Sequence, residues 1–175
     1  EMTSSLVGSE MCIRDSNSIK KEVMLQKGYD AVCYCDILGH AQQKRNTFWH
    51  KVYKHLQGIL LNRPTHVYDY SKHYKELIGE IDKDENVIPQ IVPQWDHSPR
   101  GGRKTNIYIN STPENFAKHV RMAMEAIKGK KEEHQILMLK SWNEWAEGNY
   151  MEPDLTHGRG YIDALRQVVD EYREK

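Results

Sequence analysis

Two glutamates three residues apart, Glu144 and Glu147, stand in the run Ser141-Trp142-Asn143-Glu144-Trp145-Ala146-Glu147-Gly148-Asn149-Tyr150, which continues through Met151 to Glu152-Pro153-Asp154. Paired carboxylates supply the acid and base that acetal chemistry requires. Aromatic faces such as those of Trp142, Trp145 and Tyr150 stack on the C–H faces of sugar rings, while Asn143, Asn149 and Glu152 carry the polar atoms that hold sugar hydroxyls. Residues at i and i+3 on one helical turn lie ~5 to 6 Å apart. That separation suits retaining glycoside hydrolysis, so a helical turn following a strand would bring Glu144 and Glu147 together. A lone Glu-x-x-Glu pair is common on solvated helix faces; the two Trp residues and the Gly-Asn that follow set this one apart.

A second constellation is Trp95-Asp96-His97-Ser98-Pro99-Arg100. Trp95 reads as the floor of a sugar subsite, Asp96 as the ligand of a hydroxyl pair, and Arg100 as the cation that holds Asp96 or another carboxylate in place. Equally open is a buried Trp followed by an Asx turn before Pro99. Gly101-Gly102-Arg103-Lys104 lacks the spacing of a phosphate-binding loop and reads as a flexible connection. Cys33 and Cys35 fall on one side of a strand and have no second pair with which to bind zinc, so they read as lining thiols. His50, His55, His66 and His73 share no ligand spacing and read as solvent-facing, as does His157. Neither a metal nor a cofactor is expected.

The elements that must position these residues follow from periodicity. Ile19, Val23 and Gln26 give a short helix that Gly28 can end, and residues 29–35 form a strand. Phe48, Val52, Leu56, Ile59 and Leu60 mark a helix, and Tyr70, Tyr74, Leu77, Ile78 and Ile81 mark another over 70–81. Residues 87–92 are an apolar strand that must tolerate the missing donor of Pro89 and that delivers Trp95 and Asp96. Residues 97–110 are a loop. Thr112 caps a helix with Pro113 at its first position and Phe116, Val120, Met124 and Ile127 as its buried stripe. Residues 136–139 are a strand running into the glutamate motif, and Tyr161, Leu165, Val168, Val169 and Tyr172 mark a closing helix. The unit strand, polar-aromatic loop, helix recurs with candidate residues where each strand ends, the layout of a parallel α/β sheet.

Bulk properties set bounds. The chain has 175 residues, mean hydropathy of −0.80, and Lys plus Arg equal to Asp plus Glu at 25 each. No global charge draws it to nucleic acid, no window is apolar enough to span a membrane, and a polar uncharged ligand fits best. The oligomeric state is not legible. Three cysteines, odd in number, argue against a disulfide framework and for a cytoplasmic setting. Residues 1–16 have no signal-peptide character and no usable period. They resemble a translated sequencing adapter and are set aside, leaving 17–175 as one domain. A (β/α)8 barrel needs ~250 residues, so the expected fold is the carboxyl-terminal half of such a barrel, truncated upstream.

WDHSPR, STPENF, SWNEWAEGNYMEPD and GYIDALRQVV, with YDY at 68–70 upstream, resemble in that order the carboxyl-terminal portion of the WbsX-like proteins of bacterial polysaccharide clusters, grouped with glycoside hydrolase family 99. The resemblance implies a (β/α)8 TIM barrel acting on mannose-type or related sugars in an oligosaccharide or polysaccharide, with lipopolysaccharide O-antigen or capsule assembly belonging to the glycosyltransferase alternative. The Glu-Trp-x-Glu-Gly motif of the hydrolases falls on Glu144, Trp145, Glu147 and Gly148. By that resemblance Glu144 is the base toward the sugar 2-hydroxyl and Glu147 the acid toward the leaving oxygen, in a retaining mechanism through a 1,2-anhydro sugar. Holding a proton on Glu147 asks for burial against Trp145 or repulsion from Glu144. Two positions depart from the pattern: His97 stands where the family usually has Asn, and Ala146 where the hydrolases have His. WbsX-like members are also described as glycosyltransferases, and a non-catalytic glycan-binding module is the reading from a different class.

Overall fold

The computed structural model describes residues 21–33, 52, 56, 66–102 and 105–173. Helix α1 (Lys21–Gln26) ends at Gly28, whose φ of +90° is the left-handed conformation that stops a helix without steric cost. Strand β1 (Val32–Cys33) follows. Of the strand expected over 29–35, residues 29–31 are irregular and 34 and 35 lie outside the described residues, as does the helix built on residues 48–60 apart from helical Val52 and Leu56.

Strand β2 (His66–Asp69) leads straight into the short helix α2 (Tyr70–His73), capped by Asp69, whose carboxylate accepts from the Ser71 amide at 3.1 Å. The helix expected over 70–81 is broken. After α2 come two 3-10 turns, Tyr74–Glu76 and Glu80–Lys83, separated by an extended Gly79 whose N–H donates to Asp82 at 2.8 Å. Helical spacing of apolar residues is retained, yet that side-chain bond gives the backbone a competing partner.

Residues 87–92 divide at Pro89. Strand β3 (Val87–Ile88) pairs in parallel with β1, whereas β4 (Gln90–Ile91) pairs in parallel with β6 (Met138–Leu139). Proline has no N–H to give a ladder. The segment therefore changes partner at that residue, while the Pro89 carbonyl still accepts from Met138 N at 2.9 Å.

The expected loop over 97–110 is instead structured at both ends, as helix α3 (Ser98–Gly101) and strand β5 (Asn106–Ile109). β5 pairs in parallel with β2 from His66↔Asn106 to Asp69↔Ile109. Tyr68 and Tyr108 share one face of this pair and pack with Tyr70 and Val92 in a buried cluster.

Helix α4 (Pro113–Ile127) is capped as expected, with Thr112 Oγ1 accepting from Asn115 N at 3.3 Å. Phe116, Val120 and Ile127 are buried on it, and Met124 is half-buried. Its apolar side meets helix α5 (Gly160–Arg173) through Tyr161, Ala164 and Val168, with Ile91 and Met151 completing the larger core. Arg121 and Glu171 lock the two helices by a two-bond contact of 2.9 and 2.7 Å. His119 is the polar exception in this packing. Its ring is buried, Nδ1 lies 2.8 Å from the Tyr70 hydroxyl, which itself donates to the Val92 carbonyl at 2.7 Å. Burial lowers its pKa from 6.5 to about 4.

The described protein is thus a mixed α/β structure of three parallel strand pairs and one antiparallel hairpin, with α4 and α5 covering β4 and β6. Among the described residues no helix is long and apolar enough to cross a membrane.

Candidate active site

The two constellations come from neighbouring parallel strands. Trp95 and Asp96 follow the carboxyl end of β4, and the glutamate motif follows the carboxyl end of β6, so the β4–β6 pairing alone places them side by side. The ladder is extended by Lys140 N, which donates to Ile91 O at 2.9 Å.

The motif is a hairpin, not a turn of α-helix. β7 (Asn143–Glu144) runs antiparallel to β8 (Asn149–Tyr150), and a 3-10 turn, Trp145–Glu147, joins them. Gly148 closes the turn in the left-handed conformation, φ +53°, and a Cβ there would lie 3.0 Å from both Cβ and N of Asp96. That close approach lets the Glu147 carbonyl accept from Asp96 N at 2.9 Å, latching the hairpin to the β4 loop. Asn149, buried, forms a second latch: its amide group donates to the Gln94 carbonyl at 2.6 Å and accepts from Ser141 N. Gln94 returns a bond to the Tyr150 carbonyl at 3.3 Å.

Within this frame Glu144 and Glu147 do converge, through one cation. Arg100 Nη1 lies 3.0 Å from Glu147 Oε1 and 3.9 Å from Glu144 Oε1. His97 Nε2 approaches the same Glu147 oxygen at 3.3 Å. Two like charges in one place need such a counter-cation, and α3 supplies it from beyond the Trp95 loop. Of the readings open for Arg100, the partner is therefore Glu147. Asp96 takes the Asx-turn reading, accepting from Ser98 N at 3.0 Å while its side chain faces solvent. Glu147 is the more enclosed of the pair, with its side chain 20% exposed against 43% for Glu144. What lines it is Arg100 and His97; Trp145 is turned to other partners.

Trp145 stacks on Tyr150 with ring centroids 3.7 Å apart and planes 13° from parallel, and its indole N–H donates to Glu152 at 2.6 Å. Its other face and the ring of Trp142 are open to solvent, both residues about half exposed. Burial raises the pKa of Tyr150. Trp95 differs from expectation in one respect. The ammonium of Lys140 lies over its ring, 4.2 Å from the centroid, so a cation already occupies one face of the proposed sugar floor. Its indole N–H is buried with no partner among the described residues. Asn143 is exposed at the start of the hairpin.

Other candidates fall away from this site. Cys33 is half-buried with its sulfur 4.0 Å from Gln90 Nε2, and Cys12 and Cys35 lie outside the described residues. His73 and His66 are half-buried, contrary to a solvent-facing placement: His73 packs edge-on against Tyr68 and meets Glu76 at 3.4 Å. His157 is also half-buried, edge-on to Tyr161. His50, His55, Arg103 and Lys104 lie outside the described residues. No group of three or more His, Cys, Asp or Glu that could hold a metal ion occurs among the described residues. Gln94, Ser141 and Lys140 are residues to which the motif reading gave no role, and His97, read only as a departure from the family pattern, lies 3.3 Å from Glu147 Oε1. Lys140 carried one signal, its place directly between a strand and the motif.

The site thus gathers two carboxylates on a shared arginine, with exposed aromatic rings beside them. The chain belongs to the WbsX glycosyltransferase family, a carbohydrate-active family whose model matches residues 3–165. That range begins inside the segment 1–16. Two similar proteins are both described as uncharacterized protein WxcX of Xanthomonas campestris pv. campestris. The one from strain B100 is 29% identical over 104 residues, 59% of this chain and 15% of its own length. The one from strain ATCC 33913 is 32% identical over 101 residues, 55% of this chain and 14% of its own length. The matched region is thus a small part of those relatives. No solved structure matches the chain.

Proposed function

We propose that this chain is the carboxyl-terminal part of a (β/α)8 barrel enzyme of bacterial polysaccharide metabolism, and that Glu144 and Glu147 run a retaining, mannosidase-like endo-glycoside hydrolysis. The observation that carries the reading is the convergence of both carboxylates on Arg100 Nη1, at the carboxyl ends of two paired parallel strands. Loops at that end of parallel strands are where barrel enzymes build their sites.

In this reading Glu144 takes the proton of the sugar 2-hydroxyl as O2 closes on the anomeric carbon, and Glu147 gives a proton to the departing oxygen. Water then opens the 1,2-anhydro sugar, losing its proton to Glu147 while Glu144 returns one to O2. Arg100 keeps the two carboxylates in one place at rest and must slacken its hold on Glu147 when that group is protonated. Trp142 and the Trp145–Tyr150 stack offer apolar faces to sugar rings, with Asn143 and Glu152 bordering them, while Asn149, expected to hold a hydroxyl, is buried with its amide engaged by Gln94 and Ser141. Asp96, exposed beside the hairpin, is open to sugar hydroxyls.

Glycosyl transfer is the second reading, favoured by the description of the family itself. Product analysis separates the two. Full-length protein given a bacterial oligosaccharide in plain buffer is expected to release new reducing ends. Consumption of a nucleotide sugar with extension of the acceptor, and no release without the donor, would establish transfer instead. Binding with neither product would leave a glycan-binding module.

A further inference from the structure

Lys140 has no role in the chemistry above, yet it lies in the site. It follows β6 directly, its backbone N–H is fixed to Ile91 O, and its ammonium is held over Trp95 on the adjacent loop. The other charges there are engaged. Arg100 meets Glu147 and Glu144, Glu152 accepts from Trp145, and Asp96 accepts from Ser98 N. Lys140 alone among the described cations of the site has no carboxylate within ion-pair distance. The Trp95 indole N–H beside it is a buried donor with no partner among the described residues.

An ammonium kept on an aromatic face retains its charge and its donors while its position is restricted. An ammonium without a carboxylate partner, held against an aromatic surface, is what an anionic group on a sugar would meet. Resting on the glycan-processing reading, we propose that Lys140 over Trp95 is a specificity subsite for an acidic glycan, reading the carboxylate of a uronic acid residue next to the cleaved linkage. A charge-assisted hydrogen bond to a carboxylate is stronger than one to a neutral hydroxyl. The site would thus discriminate by charge where the stacking rings cannot.

The test uses full-length protein and oligosaccharides containing glucuronate, galacturonate or mannuronate, each beside its carboxyl-reduced form, in which the carboxylate has become a primary alcohol and the ring stereochemistry is kept. Wild type is expected to bind at least one acidic member about tenfold more tightly than its reduced counterpart. Lys140→Met is expected to bring that ratio close to one, and Lys140→Arg to preserve it, with thermal melts showing that both variants fold. Equal binding of the two forms by wild type, or a preference that survives in Lys140→Met, would overturn the inference and leave the glycan site standing. Lys140-dependent binding of inorganic pyrophosphate in place of any acidic sugar would also overturn it, assigning the lysine to a diphosphate. No binding of any oligosaccharide in either form would remove the glycan reading itself.

Discussion

At the scale of single residues the site depends on one point of close approach. Gly148 combines a left-handed backbone with a clearance that admits no side chain against Asp96. Gly148→Ala is therefore expected to cost roughly 1 to 3 kcal/mol of stability, and to open the bond between Asp96 N and the Glu147 carbonyl, which stands at 2.9 Å. Urea unfolding gives the first quantity, and loss of oligosaccharide binding or turnover beyond the stability change gives the second. A variant as stable and as active as wild type would mean that the latch does not set the position of Glu147. Residue type and spacing singled out Glu144 and Glu147 in the sequence, but the hairpin that brings both to Arg100 stands where a helical turn was expected. The partner of Arg100 was not legible. Local context offered Asp96, four residues away, whereas the hairpin brings Glu147 to the guanidinium from the end of a different strand.

Among elements, α4 was the most readable, since Thr112, Pro113 and a stripe at helical spacing all specify the same helix. β2 and β5 were not readable for the opposite reason. Each is four residues long, and each exists because it pairs with the other. Residues 70–83 kept helical spacing yet broke, because Asp82 bonds Gly79 N more locally than a continued helix would allow. Packing of α4 also has a pH signature. His119 is buried and neutral, with a pKa of about 4 against 6.5 when free. The unfolded chain therefore binds a proton between those values that the folded chain does not. The contribution of the neutral ring is complete above pH 6.5 and is lost as the pH falls toward about 4, on the order of 3 kcal/mol in all. Urea midpoints for wild type and His119→Gln across this range isolate the effect from that of the carboxylates. The difference between the two proteins is expected to narrow as pH falls; a constant difference would contradict the assignment.

For the molecule as a whole, the parallel pairs β1–β3, β2–β5 and β4–β6 are held by crossovers, and the two loops that carry candidate chemistry leave from the same end of β4 and β6. Val67 and Ile109 on the β2–β5 pair are exposed although both are large and apolar. In the proposed barrel such side chains gain cover from neighbouring elements, as sheet faces in parallel folds normally do. The matched region amounts to 15% of one relative and 14% of the other, so the activity is a property to be measured on the full-length protein. The most direct measurement replaces each glutamate separately with its neutral isostere, Glu144→Gln and Glu147→Gln, and follows oligosaccharide binding and turnover side by side. Each variant is expected to keep binding while turnover falls by at least about a thousandfold. Turnover that persists in both variants, with binding intact, would contradict the assignment of acid and base to this pair.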